Sequence, residues 1–476
     1  MRRTKIICTM GPACSNEETL EKMVRSGMNV ARLNFSHGDY EEHGGRIQLI
    51  RTVRERLNVP LAMMLDTKGP EIRLKEFVDG RATLEDGKPF VLTIEDVEGT
   101  SERASITYRD LPKDLKGGER ILIDDGKLEL RVDHCTESEV HCVVVHGGIV
   151  RNRKSINIPH SRLSLPYLSE QDKNDILFGI QQDVDYIAAS FTRNKEDVIS
   201  LRKFLDYHGG HDIKIISKIE NIEGVENFNE ILRESDGIMV ARGDMGVEIE
   251  FERLPGLQKR FIRRCNQAGK IVITATQMLD SMMTSASPTR AEITDVANAV
   301  FDGTSAVMLS GETAAGKYPV EAVQVMAKIA TQAEKDAFDM LANRKIRFDL
   351  ELADKTNAVC DAACTMAMDV HAKAIIVVTK YGHTAHRMSK FRPFMPIVAA
   401  THVEKTYHQM GMNWGVFPVL AQPQKNSDDL MRHAIDCAKQ IDMVTNGDLV
   451  VIAAGVPVDT PGSTNLLKVE VVGERR

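Results

Sequence analysis

Two short apolar runs of this 476-residue chain each end in charge: Lys214-Ile-Ile-Ser-Lys218-Ile-Glu220-Asn221 and Gly237-Ile-Met-Val-Ala-Arg242-Gly243-Asp244. Inside an ordinary buried strand a lysine, two carboxylates and an arginine would have to be solvated or paired at considerable cost. Gathered at strand ends, they predict a polar site on a rigid core. Glu220 and Asp244 offer hard oxygen ligands for a divalent ion, and Lys218 offers a fixed cation beside them. That set suits phosphoryl transfer or the stabilisation of an enolate. Spacing alone leaves a blander reading open, because Lys218 and Glu220 alternate on one side of a strand and could form a purely structural ion pair.

The elements that would position these groups recur along the chain. Apolar runs of strand length stand at Lys5–Met10, Asn29–Phe35, Leu61–Asp66, Asp185–Phe191, Lys214–Glu220, Gly237–Arg242, Ile271–Gln277 and Ser305–Ser310. Between most of them lie helical patterns with start signals: Ser15-x-x-Glu18, Ser169-x-x-Asp172, and Thr289-x-x-Glu292 just after Pro288. Strands of this kind alternating with helices predict an α/β fold with a closed (β/α)8 TIM barrel, whose chemistry sits at the carboxyl ends of the strands. Arg32, Asn34 and Ser36, then Asp66, Thr67 and Lys68, then Thr276, then Ser310 and Glu312 all fall at such ends.

Between Lys68 and Ser169 lie about a hundred residues without a long helical period, far more than an ordinary loop. Short strand patterns at Val91–Ile94, Ala104–Thr107, Ile121–Asp124, Lys127–Val132 and Val140–Val145, broken by Gly and Asp turns, predict an inserted small β-barrel domain. Placed in a βα loop, it would overhang the site as a lid, with Arg73 near its entry and Arg151, Arg153 and Lys154 near its exit. A helix at Thr356–Val370 followed by five further strands predicts a carboxy-terminal α/β domain. The expected organisation is a catalytic barrel of residues 1–69 and 168–343, a lid of residues 70–167, and a regulatory domain of residues 344–476.

Composition narrows the function classes. A net charge of -7 leaves no excess of Lys and Arg to neutralise a nucleic-acid backbone. The eight cysteines are scattered without a CxxC pair, so neither a zinc site nor a disulfide framework is indicated. No apolar run approaches the ~20 residues of a membrane span and no signal segment leads the chain, so a cytoplasmic protein without membrane partners is expected.

Six motifs in order then carry a resemblance. They are Arg32-Leu-Asn34-Phe-Ser36-His37, Asp66-Thr67-Lys68-Gly-Pro-Glu71-Ile-Arg73, Ser217-Lys218-Ile-Glu220-Asn221, Ala241-Arg242-Gly243-Asp244, Ala275-Thr276-Gln277 and Pro288-Thr289-Arg290-Ala291-Glu292. On these the chain resembles the pyruvate kinase family along its whole length. The resemblance implies phosphoryl transfer from phosphoenolpyruvate to ADP, giving pyruvate and ATP, in a cytoplasmic homotetramer. It implies that Glu220 and Asp244 hold Mg2+ or Mn2+, and that Asn34, Ser36, Asp66 and Thr67 hold K+. Arg32 would contact the transferring group, Lys218 would stabilise the transition state, and Gly243, Asp244 and Thr276 would seat the substrate carboxylate. Arg73 and Lys154 would meet the nucleotide. Thr276, beside Lys218, would relay a proton to the enolate through water. Family members with Glu at position 71 tend to need potassium, so Glu71 implies a potassium-activated enzyme. A metal-dependent aldolase acting on phosphoenolpyruvate or pyruvate, and a non-catalytic metabolite sensor, stay open as alternatives.

Three further patterns have plain readings. Asn34, Ser36 and Asp66 on their own would serve as turn and capping residues. Gly311-x4-Gly316-Lys317 resembles a phosphate-binding loop, but Tyr318 stands where a metal-holding Ser or Thr is required. In the third domain, the strand Ala374–Thr379 runs through Lys380-Tyr-Gly382-His383-Thr384 into a helical pattern, near a loop at Gly455–Asn465. That is either a plain capped turn or an effector site for a sugar phosphate formed by Thr379, Lys380, His383 and Thr384.

Overall fold

The computed structural model describes residues 1–341, 355–456 and 464–474. Eight parallel strands close a ring in chain order: Lys5–Thr9, Val30–Asn34, Ala62–Asp66, Tyr186–Ala189, Lys214–Ile219, Gly237–Ala241, Ile271–Ala275 and Ala306–Leu309. The first strand pairs with both its successor and the last, Lys5 to Cys8 lying opposite Ala306 to Leu309. The ring, its helices and the carboxy-terminal domain confirm the α/β TIM-barrel class expected from the apolar runs.

Near-continuous burial explains why these strands lack polar alternation. Outward-facing side chains such as Ile6, Leu33, Leu65, Ile215 and Val240 join the helices in one core. Inward-facing side chains such as Ile7, Met64, Ile216, Met239 and Met308 fill the barrel. Met412, contributed by the carboxy-terminal domain, completes that inner core from the amino-terminal end of the ring. The helix starts were legible where side chains cap them. Ser169 and Thr289 both form reciprocal capping boxes, with Asp172 and Glu292. The first helix, Glu17–Ser26, differs: Asn16 accepts from the Thr19 N–H, while the Ser15 hydroxyl turns back to the Gly11 carbonyl.

The insertion follows the third barrel strand. Its seven-stranded sheet includes Pro89–Thr93, Arg103–Ser105, Arg120–Ile123, Leu128–Cys135 and Glu139–His146, all near the expected runs. Four short pieces were not legible: Ile72–Arg73, Arg81–Leu84, Gly148–Arg151 and Ser155–Asn157. At two to four residues each they carry too few alternations to register as strands. The two edges of the sheet are joined, with Leu74 bridged to Ile106 and the Thr107 N–H donating to the Arg73 carbonyl, so it rolls back on itself. The barrel contacts it through Asn157, whose amide donates to Glu248 at 3.0 Å.

The last domain has a five-stranded sheet, four strands parallel and the edge strand Thr464–Val471 antiparallel. It docks beneath the barrel, at the amino-terminal ends of the barrel strands. The Lys5 ammonium donates to the Val416 carbonyl, the Tyr186 hydroxyl to the Gln409 carbonyl, and Lys405 to the Val184 carbonyl. The boundary expected between residues 343 and 344 lies outside the described residues.

Candidate active site

Lys218 ends up enclosed at the carboxyl end of the fifth barrel strand. Its ammonium lies 3.1 Å from Asp66 Oδ1, 3.0 Å from Glu220 Oε1 and 2.8 Å from Ser190 Oγ. Each partner comes from a different element: Asp66 ends the third strand, Ser190 follows the fourth, and Glu220 follows the fifth. Arg32, from the second strand, donates to Asp66 Oδ2 at 2.6 Å and to Thr9 Oγ1 at 2.9 Å. Burial alone would push the Lys218 ammonium towards its neutral form, but Asp66 and Glu220 reverse this and hold its pKa above the ordinary lysine value. For Asp66, burial raises the pKa, and Arg32 with Lys218 outweighs that, leaving the carboxyl below its usual range.

Glu220 has less support. It accepts from the Phe191 N–H at 2.6 Å, yet burial, only partly offset by Lys218, and the nearby Asp244 push its pKa up to about 7. Arg32 and Lys218 stand against Asp66, Glu220 and Asp244, two positive charges to three negative. A site with surplus carboxylate, one buried member of which resists ionising, fits a divalent cation. Among the described residues no group of three or more His, Cys, Asp or Glu converges, so the candidates for holding a metal stay the carboxylates of Glu220 and Asp244. Magnesium and manganese favour such a set.

The seat beside this cluster is made by two strand ends. Gly243, at the start of the helix Arg242–Glu248, donates its N–H to Thr276 Oγ1 at 2.8 Å, and the Thr276 hydroxyl itself donates to the Ala275 carbonyl at 2.7 Å. Thr276 is thus close to Gly243 as expected, but its proton is engaged, and acting as a relay would require that bond to switch. Arg242 faces away from the chemistry, binding the Ala275 and Thr276 carbonyls and Asp295. Thr276, Gln277 and Phe191 all have positive φ, of 71°, 53° and 52°. Left-handed backbone at residues that are not glycine is costly and clusters at functional sites.

Of the residues expected to hold a monovalent ion, Asn34 and Asp66 are direct partners on adjacent strands and Thr67 follows Asp66. The Ser36 N–H donates to Asn34 Oδ1 at 3.2 Å, the turn role also foreseen. Asp66 takes three donors, from Arg32, Lys218 and Ser190, which leaves about one of its four lone-pair positions. Of the nucleotide candidates Arg73 lies in one of two neighbouring antiparallel strands, opposite Ser155, and Lys154 immediately precedes the other. Arg73 binds Glu71 at 2.8 Å, and Lys154 binds Asp124 at 2.7 Å. A cleft between insertion and barrel is lined by Glu71, Ser155, Phe191, Asn221 and Asp244, reaching one of the two candidate metal-holding carboxylates but not the side chains of Arg73 and Lys154.

The four expected effector residues are not brought to one surface. Thr379 and Thr384 are buried, Thr384 sharing a 2.6 Å hydrogen bond with Thr464. Lys380 lies over the Tyr381 ring, and His383 faces a cavity towards the barrel. Most of the companion loop, residues 457–463, lies outside the described residues. The phosphate-loop lookalike has its N–H groups occupied: those of Ala315 and Gly316 donate to the Gly311 carbonyl and that of Lys317 to the Met283 carbonyl. Sequence reasoning missed Ser190. It was folded into an apolar run, although the rule used for the other strands, a polar residue at the carboxyl end, would have found it.

The family model described as "Pyruvate kinase, barrel domain" matches residues 1–323, and "Pyruvate kinase, alpha/beta domain" matches residues 357–470. A pyruvate kinase of Staphylococcus haemolyticus is 49% identical, covering 100% of this chain and 81% of its own. One from Clostridium acetobutylicum is 48% identical, covering 99% and 100%. The crystal structure of a pyruvate kinase from Cryptosporidium parvum superimposes with a TM-score of 0.91 at 40% identity, covering 99% of this chain and 96% of that one.

The Glu220 environment predicts a pH signature in metal-free protein. A carboxylate whose folded pKa exceeds its unfolded value binds more protons folded than unfolded, so its contribution to stability falls as pH rises between 4.5 and about 7 and is flat above. Glu220→Gln should lack this decline, so its melting temperature relative to the parent should rise across that window. Parallel curves for the two proteins would contradict the destabilised carboxylate.

Proposed function

We propose how this chain works from the premise that it belongs to the pyruvate kinase family, the match running over its full length. It is a phosphotransferase, moving the phosphoryl group of phosphoenolpyruvate to ADP to give pyruvate and ATP, the last step of glycolysis. We infer its residue roles, ions, assembly and location as well. The observation carrying them is the Lys218 ammonium, enclosed by Asp66, Ser190 and Glu220 beside the Gly243 and Thr276 seat.

In this reading Arg32 and Lys218 bind and orient the phosphoryl group, and Lys218 stabilises negative charge as it develops on the enolate oxygen. Their rigidity supports the role, because charges fixed before the reaction cost no reorganisation during it. Gly243, Asp244 and Thr276 seat the substrate carboxylate, and Thr276 hands a proton to the methylene carbon through water. Arg73 and Lys154 meet ADP beneath the insertion, the unit of residues 70–167, which acts as a lid and excludes water. A divalent ion, Mg2+ or Mn2+, held by Glu220 and Asp244 supplies charge neutralisation for the phosphoryl and enolate oxygens when bound. K+ held by Asn34, Ser36, Asp66 and Thr67 supplies a further positive charge at the transferring group. The enzyme is read as a cytoplasmic homotetramer. No helix among the described residues is long and apolar enough to cross a membrane. A sugar-phosphate effector is assigned to the turn Thr379 to Thr384, with Lys380 as its cation and the first N–H groups of the helix His383–Lys390 as donors.

The first test is pyruvate formation measured with and without ADP and magnesium. Lys218→Met should lower kcat by roughly 100-fold or more with modest change in KM, the scale for loss of one electrostatic stabiliser. Near-normal kcat with raised KM would assign Lys218 to ground-state binding, and ADP-independent pyruvate release would favour an aldolase-like reaction.

A second test concerns potassium and Glu71. A glutamate cannot replace a cation, whereas a lysine ammonium at that position could. Initial rates at constant ionic strength, with potassium exchanged for a bulky organic cation, should fall sharply and recover only weakly with sodium. Glu71→Lys should relax that dependence, even if loss of the Arg73 pair lowers the absolute rate. Full activity without potassium would return Asn34, Ser36, Asp66 and Thr67 to turn and capping duty.

The effector is tested by phosphoenolpyruvate saturation curves with and without fructose 1,6-bisphosphate. Sigmoidal curves should become hyperbolic with the effector in the parent and stay sigmoidal in Lys380→Ala. A parent enzyme indifferent to it, or a variant that responds fully, would remove the turn from regulation.

A further inference from the structure

Beneath the barrel lies a second cavity, of about 380 Å³, within the range of roughly 300–1,000 Å³ typical of small-molecule sites. One wall is the amino-terminal end of the barrel, the other the carboxy-terminal helix His383–Lys390 and the turn before it. Among the described residues four cations line it, Lys214 and Lys270 from the barrel and Arg387 and Lys390 from the helix, against one carboxylate, Asp236. In a chain of net charge -7 this is a marked local excess of positive charge. His383 and His386 face the same space, and the half-exposed Tyr381 offers an aromatic rim.

The local chemistry is that of an anion site. Lys214 has one carboxylate nearby, Asp236 at 3.5 Å, and Asp236 also accepts from the Ile215 N–H. Lys270 donates to the carbonyls of Leu232, Arg233 and Ser235. Burial lowers the pKa of Lys270, Lys390, His383 and His386. Each of these cationic forms would gain from an anion brought into the cavity.

We propose that this cavity is a binding site for a phosphate monoester, its phosphate held between Lys214 and Lys390 and its organic part lying towards Tyr381. The phosphate suits a ring of short-range donors contributed by two domains, and the cavity is larger than inorganic phosphate needs. The site lies on the barrel-facing side of the helix, whereas Thr384 shares its hydroxyl with Thr464, so of the four effector candidates His383 alone lines this cavity, beside Tyr381 and Gly382 of the same turn. The position also bears on catalysis. Lys214 begins, and Asp236 and Lys270 immediately precede, the three barrel strands whose far ends lead to Lys218, Asp244 and Thr276, with Lys218 about 13 Å from Lys214 by strand rise.

The test is calorimetric titration of the full-length protein with ribose 5-phosphate, with inorganic phosphate as the comparison. The expected result is saturable binding, tighter for the ester. It should be weakened roughly tenfold or more in Lys214→Gln and in Lys390→Gln, the scale for loss of a charged hydrogen bond, and that dependence on both lysines should persist in a Lys380→Ala background. Matching circular dichroism and melting curves for the variants will exclude misfolding. A second readout is the imidazole proton resonances, of which those assigned to His383 and His386 should shift on titration. Three outcomes would overturn the proposal: no saturation by ribose 5-phosphate below about 10 mM, undiminished affinity in both seam variants, or loss of binding only in Lys380→Ala, which would put the ester at the turn.

Discussion

The site depends on a buried charge network that no single element could hold. Taking the Lys218 ammonium, the Arg32 guanidinium and the Asp66 and Glu220 carboxylates out of water costs several kcal/mol per ion, repaid only by good geometry. The geometry is shared among four consecutive barrel strands and the residues that follow them. Asp66 is the hub, taking Arg32 on one oxygen and Lys218 with Ser190 on the other. A one-residue slip of any of these strands would turn its charged residue to the opposite face and leave its partners buried without compensation. Barrel register and site chemistry therefore select each other.

The network is incomplete in a specific way. Asp66 and Lys218 are drawn by their neighbours towards their ionised forms, whereas burial and Asp244 push Glu220 towards its neutral form. The frame around it is stiff: Arg242 ties two strand ends together, and the left-handed residues Phe191, Thr276 and Gln277 are imposed by their surroundings. Strain and surplus carboxylate meet at the same end of the barrel, where cost is tolerated for the sake of position.

Much of this was legible in the chain itself. All eight barrel strands are largely apolar, so their runs and the polar residues near their ends stand out, and Ser169 and Thr289 announce their helices by type and spacing. What escaped was short or nonlocal. Ser190 hid within an apolar run, and the strand Ile72–Arg73 exists only because Ser155–Asn157 lies beside it. Asn16 displaced Ser15 as a cap because the Ser15 hydroxyl found the Gly11 carbonyl. The Thr384 hydroxyl looked available in sequence, and only a strand eighty residues later consumes it.

The pairing of Lys5–Cys8 with Ala306–Leu309 has a temporal side. A chain emerging from a ribosome cannot complete that ring until its eighth strand has cleared the exit tunnel, long after the inserted sheet, which is contiguous in the chain, is fully synthesised. Until then the first and seventh strands present open edges, and the inner face waits for Met412, which arrives a further hundred or so residues later. During its synthesis this protein passes through a long interval as an unclosed parallel sheet, the form most in need of protection by chaperones.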